Sequence, residues 1–164
     1  MSVLVADIET NGFDDPNVIW MVGVLDYHTD EFTPYVGEEQ VAEGLIRLSE
    51  ADCIIGHYFL GYDNKHIARL TEGLVTLPKS KIIDTYQLSR DYAPKSLGLK
   101  NHKLATWGEL LNFPKGNYKD FDRFDPAMIP YCERDCRITK KIVEFMEELR
   151  QSQGTASFLE GYGR

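Results

Sequence analysis

Apolar runs separated by polar turns predict a chain that alternates between strands and helices. The unbroken run that follows Ser2 is typical of a buried strand, and the Asn11-Gly12 pair marks the loop after it. Short runs rich in Val and Ile, bounded by polar or turn-forming residues, predict five strands, at residues 2–7, 18–27, 31–36, 52–56 and 81–83.

Apolar residues at helical spacing predict three helices, at residues 41–49, 64–74 and 130–149. Pro130 suits the first turn of the last helix, where its missing donor is not needed. Residues 85–119 are broken by proline and glycine, which predicts short helices and loops. This order of elements predicts an α/β fold in which helices cover a five-stranded sheet.

Length and composition place this fold in one domain. With 164 residues, of which 43% are hydrophobic, the chain is long enough to bury a core. We assign the domain to residues 1–150, and we expect a flexible tail at residues 151–164, where isolated apolar side chains stand among Gly and Ser. The sequence shows no apolar run of 18 residues and no signal peptide at its start, so we expect a cytoplasmic protein.

The cysteines are expected to be buried free thiols. Cys132 and Cys136 are one helical turn apart, but no second Cys or His pair completes a zinc site with them. Cys53 lies within a predicted strand. Free thiols of this kind fit a reducing compartment.

The charge of the chain is distributed unevenly. The net charge of −8 argues against a general nucleic-acid binder. Residues 1–78 carry a net −11 and residues 120–164 a net −2, whereas residues 79–119 carry a net +5. The basic segment at residues 79–119 fits either of two interpretations, a surface that holds phosphates or an ordinary solvated loop.

Acidic residues in three separated stretches suggest a metal site. Asp7 and Glu9 are two apart at the end of the first strand, so the alternation of side chains along a strand puts both on one face, although a surface pair at a strand end would look the same. Tyr131 and Asp135 are four apart on the last helix and face the same way. Asp63 opens a helix, where an acid also serves as an N-cap. Taken together, the four carboxylates could form a pocket for two divalent cations.

These three stretches resemble the exonuclease motifs of the DEDD superfamily. Tyr131 in the last stretch is similar to the motif tyrosine that marks the tyrosine branch of this superfamily. The resemblance covers nearly all of residues 1–150. It implies a ribonuclease-H-like fold, with a mixed five-stranded sheet flanked by helices. It also implies a 3′→5′ exonuclease that hydrolyses phosphodiester bonds in single-stranded DNA or frayed primer ends.

A narrower resemblance links residues 83–90, 102–108 and 115–120 to the proofreading domain of podophage family A DNA polymerases. The second motif departs from the family, because Tyr58 and Phe59 stand where an Asn usually precedes the Asp. This resemblance implies a phage DNA exonuclease in the bacterial host cytoplasm. It would be free-standing or the proofreading half of a split polymerase, with a separately encoded DNA polymerase as its partner.

The resemblance also implies roles for the acidic residues. Asp7, Glu9 and Asp135 would hold one divalent cation, Mg²⁺ or Mn²⁺. Asp7 would hold a second cation together with the scissile phosphate, and Asp63 would reach it through water. Tyr131 would orient the attacking water, because a phenol is a poor base at neutral pH.

Contacts to the nucleic acid are expected from two groups of residues. Residues that follow the first motif would touch the terminal nucleotide, namely Thr10, Gly12 and Phe13. Lysines of the basic segment would contact phosphates, namely Lys95, Lys100 and Lys103. Two other functions stay open, a short-RNA exonuclease and an inactive ribonuclease-H-like binding module. The presence of all four acids and the tyrosine favours an enzyme.

Overall fold

A mixed five-stranded sheet forms the centre of the protein. The computed structural model describes residues 1–163. The strands are β1 (Val3–Thr10), β2 (Ile19–Asp26), β3 (Phe32–Val36), β4 (Cys53–Gly56) and β5 (Ile82–Asp84). They lie in the order β3-β2-β1-β4-β5. β1 pairs antiparallel with β2 and parallel with β4, and β5 runs parallel to β4. The α/β fold predicted from the sequence is confirmed.

Helices cover both faces of this sheet. They are α1 (Gly37–Glu50), α2 (Asp63–Leu70), α3 (Thr85–Tyr92), α4 (Leu104–Leu110) and α5 (Met128–Ser152). Even-numbered residues of β1, such as Leu4 and Ile8, pack in a core cluster with α1 and α2. The odd-numbered Val3 and Val5 pack in a second cluster with α5. Because side chains alternate along a strand, later odd-numbered residues of β1 also face α5.

Several element boundaries differ from the sequence-based expectations. β1 continues to Thr10 rather than ending at residue 7, because β2 pairs with it at Asp7 and Glu9. α2 ends at Leu70 rather than residue 74, because the chain turns through positive φ at Glu72. Short 3-10 turns and the helices α3 and α4 occupy much of the segment for which short helices and loops were expected.

The C-terminal segment lies against the domain. α5 continues to Ser152, and a short strand β6 (Glu160–Gly163) follows. Glu147 accepts hydrogen bonds from the Ser157 hydroxyl at 3.0 Å and from the Phe158 amide at 2.7 Å. Phe158 and its apolar neighbours in this segment pack against the α5 cluster. These side chains therefore pack within the chain, a contact that was not predicted. The flexible tail at residues 151–164 stays a prediction, and its last residue, Arg164, lies outside the described residues. The domain boundary at residue 150 stays a prediction.

Two further expectations concern membrane spans and cysteines. Among residues 1–163, no helix combines the length and apolar character needed to cross a membrane. Cys53, Cys132 and Cys136 are free and buried, as expected.

Candidate metal centre and nucleotide cleft

The acidic residues meet where β1 faces α5. Asp7 and Glu9 continue the odd-numbered face of β1, and Asp135 projects from α5 towards that face. On β2, Gly23 lies opposite Asp7 and lets the helix approach closely. A Cβ at Gly23 would lie 2.4 Å from the Cys132 sulfur, so a larger residue would push α5 away. The close packing of α5 thus depends on a glycine outside all three motifs.

Donor atoms of two acids and one thiol lie within a few ångströms at this interface. Each of the residues Asp7, Glu9 and Cys132 offers one ligand atom, and these three atoms lie within 4.8 Å of one another. The Cys132 thiol lies 3.6 Å from the Asp7 carboxylate and 3.8 Å from the Asp7 carbonyl oxygen. The thiol was expected to be buried, but its position beside Asp7 was not foreseen from the sequence.

Asp63 approaches the same strand from the other side. It is the first residue of α2, it is 4% exposed, and its carboxylate accepts a hydrogen bond of 3.0 Å from the Ile8 amide. This contact ties α2 to the middle of β1. The side chain is therefore engaged with the strand that carries Asp7 and Glu9, and the charges of Asp63 and Asp7 interact.

Burial and mutual repulsion raise the pKa values of these acids. For Asp7, burial first and then the Asp135 charge raise the pKa from 3.8 to about 7. For Glu9, burial and the Asp7 charge raise the pKa from 4.5 to about 10. Burial also raises the pKa values of Asp63 and Asp135. A buried group of carboxylates with such pKa values can ionise together only when positive charge is close.

Two buried oxygen atoms in the cluster lack protein partners. Glu9 Oε1 and Asp135 Oδ1 accept no hydrogen bond from any group among residues 1–163. Buried polar atoms without partners are uncommon and call for an explanation. Hard oxygen donors of this kind suit Mg²⁺ or Mn²⁺. The donor set therefore fits a divalent cation.

Lys115, for which no role was predicted from the sequence, enters the cluster from the loop before α5. Its ammonium pairs with the second carboxylate oxygen of Asp135 and lies 4.5 Å from the centre of the Tyr131 ring. Burial lowers the pKa of Lys115, but the Asp135 carboxylate outweighs this and holds the pKa above its ordinary value. Lys115 stays charged and supplies the positive charge nearest to Asp135. The one available signal was its place in the 115–120 segment, which carried the polymerase resemblance.

A cleft of about 250 Å³, the inner cleft, adjoins the acids; its lining residues include Glu9, Thr10, Gly12, Phe13, Tyr62 and Tyr131. The Gly12 carbonyl accepts hydrogen bonds from the Tyr62 hydroxyl at 2.6 Å and from the Thr10 hydroxyl at 2.8 Å. Phe13 is 70% exposed and its ring stacks on Tyr62 at 5.0 Å. The structure thus brings together the three residues expected to touch a terminal nucleotide, and adds Tyr62, which was not predicted from the sequence.

The three lysines expected to contact phosphates occupy different places. Lys103 lines a cavity that borders Phe13. Lys95 begins a short 3-10 turn and Lys100 lies in the loop before α4, and both are exposed. Their contact with nucleic acid stays a prediction.

Comparisons with known proteins agree with this architecture. A family model of the RNase_H superfamily matches residues 4–110, which include β1 to α4 but not α5. No curated protein sequence matches the chain. Solved structures with the same fold include Brucella melitensis NrnC with bound Mg²⁺, at 17% identity and a TM-score of 0.67 over 93% of this chain and 75% of NrnC.

Parts of two DNA polymerases also share the fold. The family B DNA polymerase of Pyrobaculum calidifontis matches at 17% identity with a TM-score of 0.65, over 89% of this chain and 24% of the polymerase. Phi29 DNA polymerase in complex with primer-template DNA matches at 9% identity with a TM-score of 0.56. That match covers 93% of this chain and 31% of the polymerase.

Proposed function

Because this chain belongs to the RNase_H superfamily, we propose that it is a metal-dependent 3′→5′ exonuclease acting on single-stranded DNA or frayed primer ends. The observation that carries the proposal is the buried acidic cluster of β1, α2 and α5. Two of its buried oxygens lack a partner among residues 1–163, and a bound cation would satisfy them. Keeping three buried acids (Glu9, Asp63 and Asp135) beside the half-buried Asp7 costs stability, and an inactive binding module would gain nothing that offsets this cost.

Two divalent cations fit this proposal best. Asp7, Glu9 and Asp135 would hold one, and Asp7 would share the other with the substrate phosphate, near Asp63. Bound there, Mg²⁺ would stabilise charge on the attacking and leaving oxygens of the phosphodiester. The Brucella melitensis NrnC structure, which shares the fold, contains Mg²⁺.

The remaining residues would position the substrate and water. Burial raises the pKa of the Tyr131 phenol, so it stays protonated and can hold a water molecule by hydrogen bonding. Lys115, beside Tyr131, would bring a positive charge to the phosphate. The inner cleft would take the terminal nucleotide, with the exposed face of Phe13 available for its base.

DNA is the preferred substrate in this proposal. Support comes from the resemblance of residues 83–90, 102–108 and 115–120 to phage polymerase proofreading domains. The fold also matches parts of two DNA polymerases. We propose that a separately encoded phage DNA polymerase produces the DNA 3′ ends on which this chain acts.

A product ladder tests the proposal. Single-stranded DNA and RNA of one sequence, each labelled at the 5′ end, are incubated with the protein and Mg²⁺. We expect DNA products that shorten stepwise from the 3′ end, slower loss of RNA, and no products in EDTA or with Asp7→Asn. Faster loss of RNA would make the chain a short-RNA exonuclease. Equal cleavage by Asp7→Asn, or no cleavage of either strand, would overturn the proposal.

A further inference from the structure

A thiol lies among the acids of the metal centre and offers a different kind of ligand. Cys132 is fully buried on α5, and its sulfur lies 3.6 Å from the Asp7 carboxylate. Glu9 completes a group of three residues whose ligand atoms lie within 4.8 Å of one another, and Asp135 does not belong to this group. The chain therefore offers two overlapping sets of ligands, one that includes Asp135 and one that includes the Cys132 sulfur.

The spacing of the thiol and the carboxylate matches a tetrahedral zinc site. Zinc binds sulfur at about 2.3 Å and carboxylate oxygen at about 2.0–2.2 Å, so two such ligands of one ion lie about 3.5–3.7 Å apart. The distance of 3.6 Å between the Cys132 sulfur and the Asp7 oxygen falls in this range. Glu9 is only 5% exposed, and its Oε1 has no hydrogen-bond partner among residues 1–163. A third ligand without a partner thus stands beside the pair.

The packing of α5 holds the sulfur in place before any metal arrives. The Cys132 sulfur lies directly over β2, where a Cβ at Gly23 would come within 2.4 Å of it. The sulfur also lies 3.8 Å from the Asp7 carbonyl oxygen. Because the helix and the sheet fix this position, little side-chain freedom remains to be lost when the thiol binds a metal.

Lys115 does not occupy this set of ligands. Its ammonium pairs with Asp135. A cation that uses Asp135 has to displace Lys115 from that carboxylate, whereas a cation held by Asp7, Glu9 and Cys132 leaves the ion pair intact. The two sets of ligands therefore differ in the rearrangement that binding requires, as well as in their chemistry.

We propose that Asp7, Glu9 and Cys132 form an inhibitory zinc site that shares two ligands with the proposed Mg²⁺ site. Thiolate favours zinc, whereas Mg²⁺ takes oxygen ligands, so the sulfur discriminates between the two metals. The thiol releases its proton to solvent as zinc binds. Glu9 lines the inner cleft, which gives the ion a path from solvent. The zinc site does not depend on the proposed exonuclease, but the inhibition rests on it, because zinc would take Asp7 and Glu9 from Mg²⁺.

Cobalt absorbance tests the set of ligands without any enzyme activity. Co²⁺ substitutes for zinc in tetrahedral sites, and a thiolate ligand gives it a charge-transfer band in the near ultraviolet. We expect this band when Co²⁺ is added to the metal-free parent, and we expect Zn²⁺ to abolish it. A parent without the band would overturn the proposal, whatever the variants do.

The other buried thiols provide matched controls. Cys136 lies one helical turn from Cys132, and Cys53 lies on β4; both are free and buried. Cys132→Ser and Cys132→Ala should each lack the cobalt band, whereas Cys136→Ser and Cys53→Ser should keep it. A band that survives in folded Cys132→Ser or Cys132→Ala, or that disappears in folded Cys136→Ser, would overturn the assignment of the sulfur ligand.

Zinc affinity measures the contribution of the thiol. Competition with a chromophoric chelator should show that Cys132→Ser binds Zn²⁺ more than about 100-fold more weakly than the parent, because even the outer partners of metal ligands contribute about 10- to 100-fold. The Mg²⁺ affinity should change little, since Mg²⁺ does not use the sulfur. Equal zinc affinities for the parent and Cys132→Ser would refute the proposal.

Inhibition of DNA cleavage tests the consequence for activity. Single-stranded DNA labelled at the 5′ end is incubated in Mg²⁺ with increasing Zn²⁺, and each variant is compared with its own rate without zinc. Half-inhibition of Cys132→Ser should need more than about 100-fold more Zn²⁺ than that of the parent or of Cys136→Ser. Equal inhibition of Cys132→Ser and the parent would overturn the inhibitory role. Absent cleavage together with a clear cobalt band would refute the exonuclease and its inhibition but leave the zinc site standing.

Discussion

Replacing Asp7 by Asn should stabilise the metal-free protein while abolishing its activity. Folding raises the pKa of Asp7 from 3.8 to about 7, so the folded protein binds this proton more tightly than the unfolded chain. The cost of ionising Asp7 is therefore absent at pH values below 3.8, grows as the pH rises, and is complete above about pH 7. Metal-free protein should lose stability as the pH rises through this window.

The size of the effect follows from the shift in pKa. A shift of about three units corresponds to about 4 kcal/mol at pH 8, at about 1.4 kcal/mol per unit. Asn keeps a buried polar group and loses the attraction of Lys115, so we expect a net gain of about 2 kcal/mol. For a domain of this size, that gain raises Tm by about 4–8 °C.

Thermal unfolding in EDTA measures this gain. Asp7→Asn should melt above the parent at pH 8, and the difference should shrink to less than half near pH 5, where Asp7 is already protonated in the folded parent. Asp14→Asn, at an exposed acid, should melt with the parent at both pH values. Adding Mg²⁺ should raise Tm of the parent and not of Asp7→Asn. A mutant that melts below the parent in EDTA at pH 8 would refute the reasoning.

Three further perturbations test other parts of the site. Tyr131→Phe should lower kcat by about 100-fold or less, because the phenol only positions the attacking water. The Mn²⁺ affinity of this mutant, measured by calorimetry, should be nearly that of the parent. Complete loss of metal binding would show that the role assigned to Tyr131 is wrong. Lys115→Met leaves Asp135 without its ion-pair partner, so Tm in EDTA should fall at pH 8, and an unchanged Tm would show that the pair contributes nothing. The salt dependence of single-stranded DNA affinity should become flatter when three exposed lysines are neutralised together, by Lys95→Gln, Lys100→Gln and Lys103→Gln. An unchanged salt dependence would mean that these lysines are ordinary surface charges.

Local spacing was enough to predict which candidate site residues would share a face. Asp7 and Glu9 are two apart on a strand, and Tyr131 and Asp135 are four apart on a helix, so each pair follows from the geometry of its element. The sheet was likewise predictable because its strands are short apolar runs. The order of those strands was not predictable from their periodicity, which says nothing about which strands pair.

Residues brought in by loops were not predictable in the same way. Lys115 lies 20 residues before its partner Asp135, and no periodic pattern joins them. Tyr58 and Tyr86 meet only because Asp84 binds the loop after β4 and the start of α3 at once. The packing of Phe158 was not predictable, because isolated apolar residues among Gly and Ser have no periodic pattern.

A crystal soaked in Mn²⁺ would test the central claim, that the acids of β1 and α5 form a divalent-metal site. Anomalous scattering locates Mn²⁺ directly and independently of activity. We expect two peaks about 3.5–4 Å apart, with Asp7, Glu9 and Asp135 as ligands and Lys115 moved away from Asp135. No peak at saturating Mn²⁺, with the Lys115–Asp135 pair intact, would contradict the metal site and the exonuclease built on it.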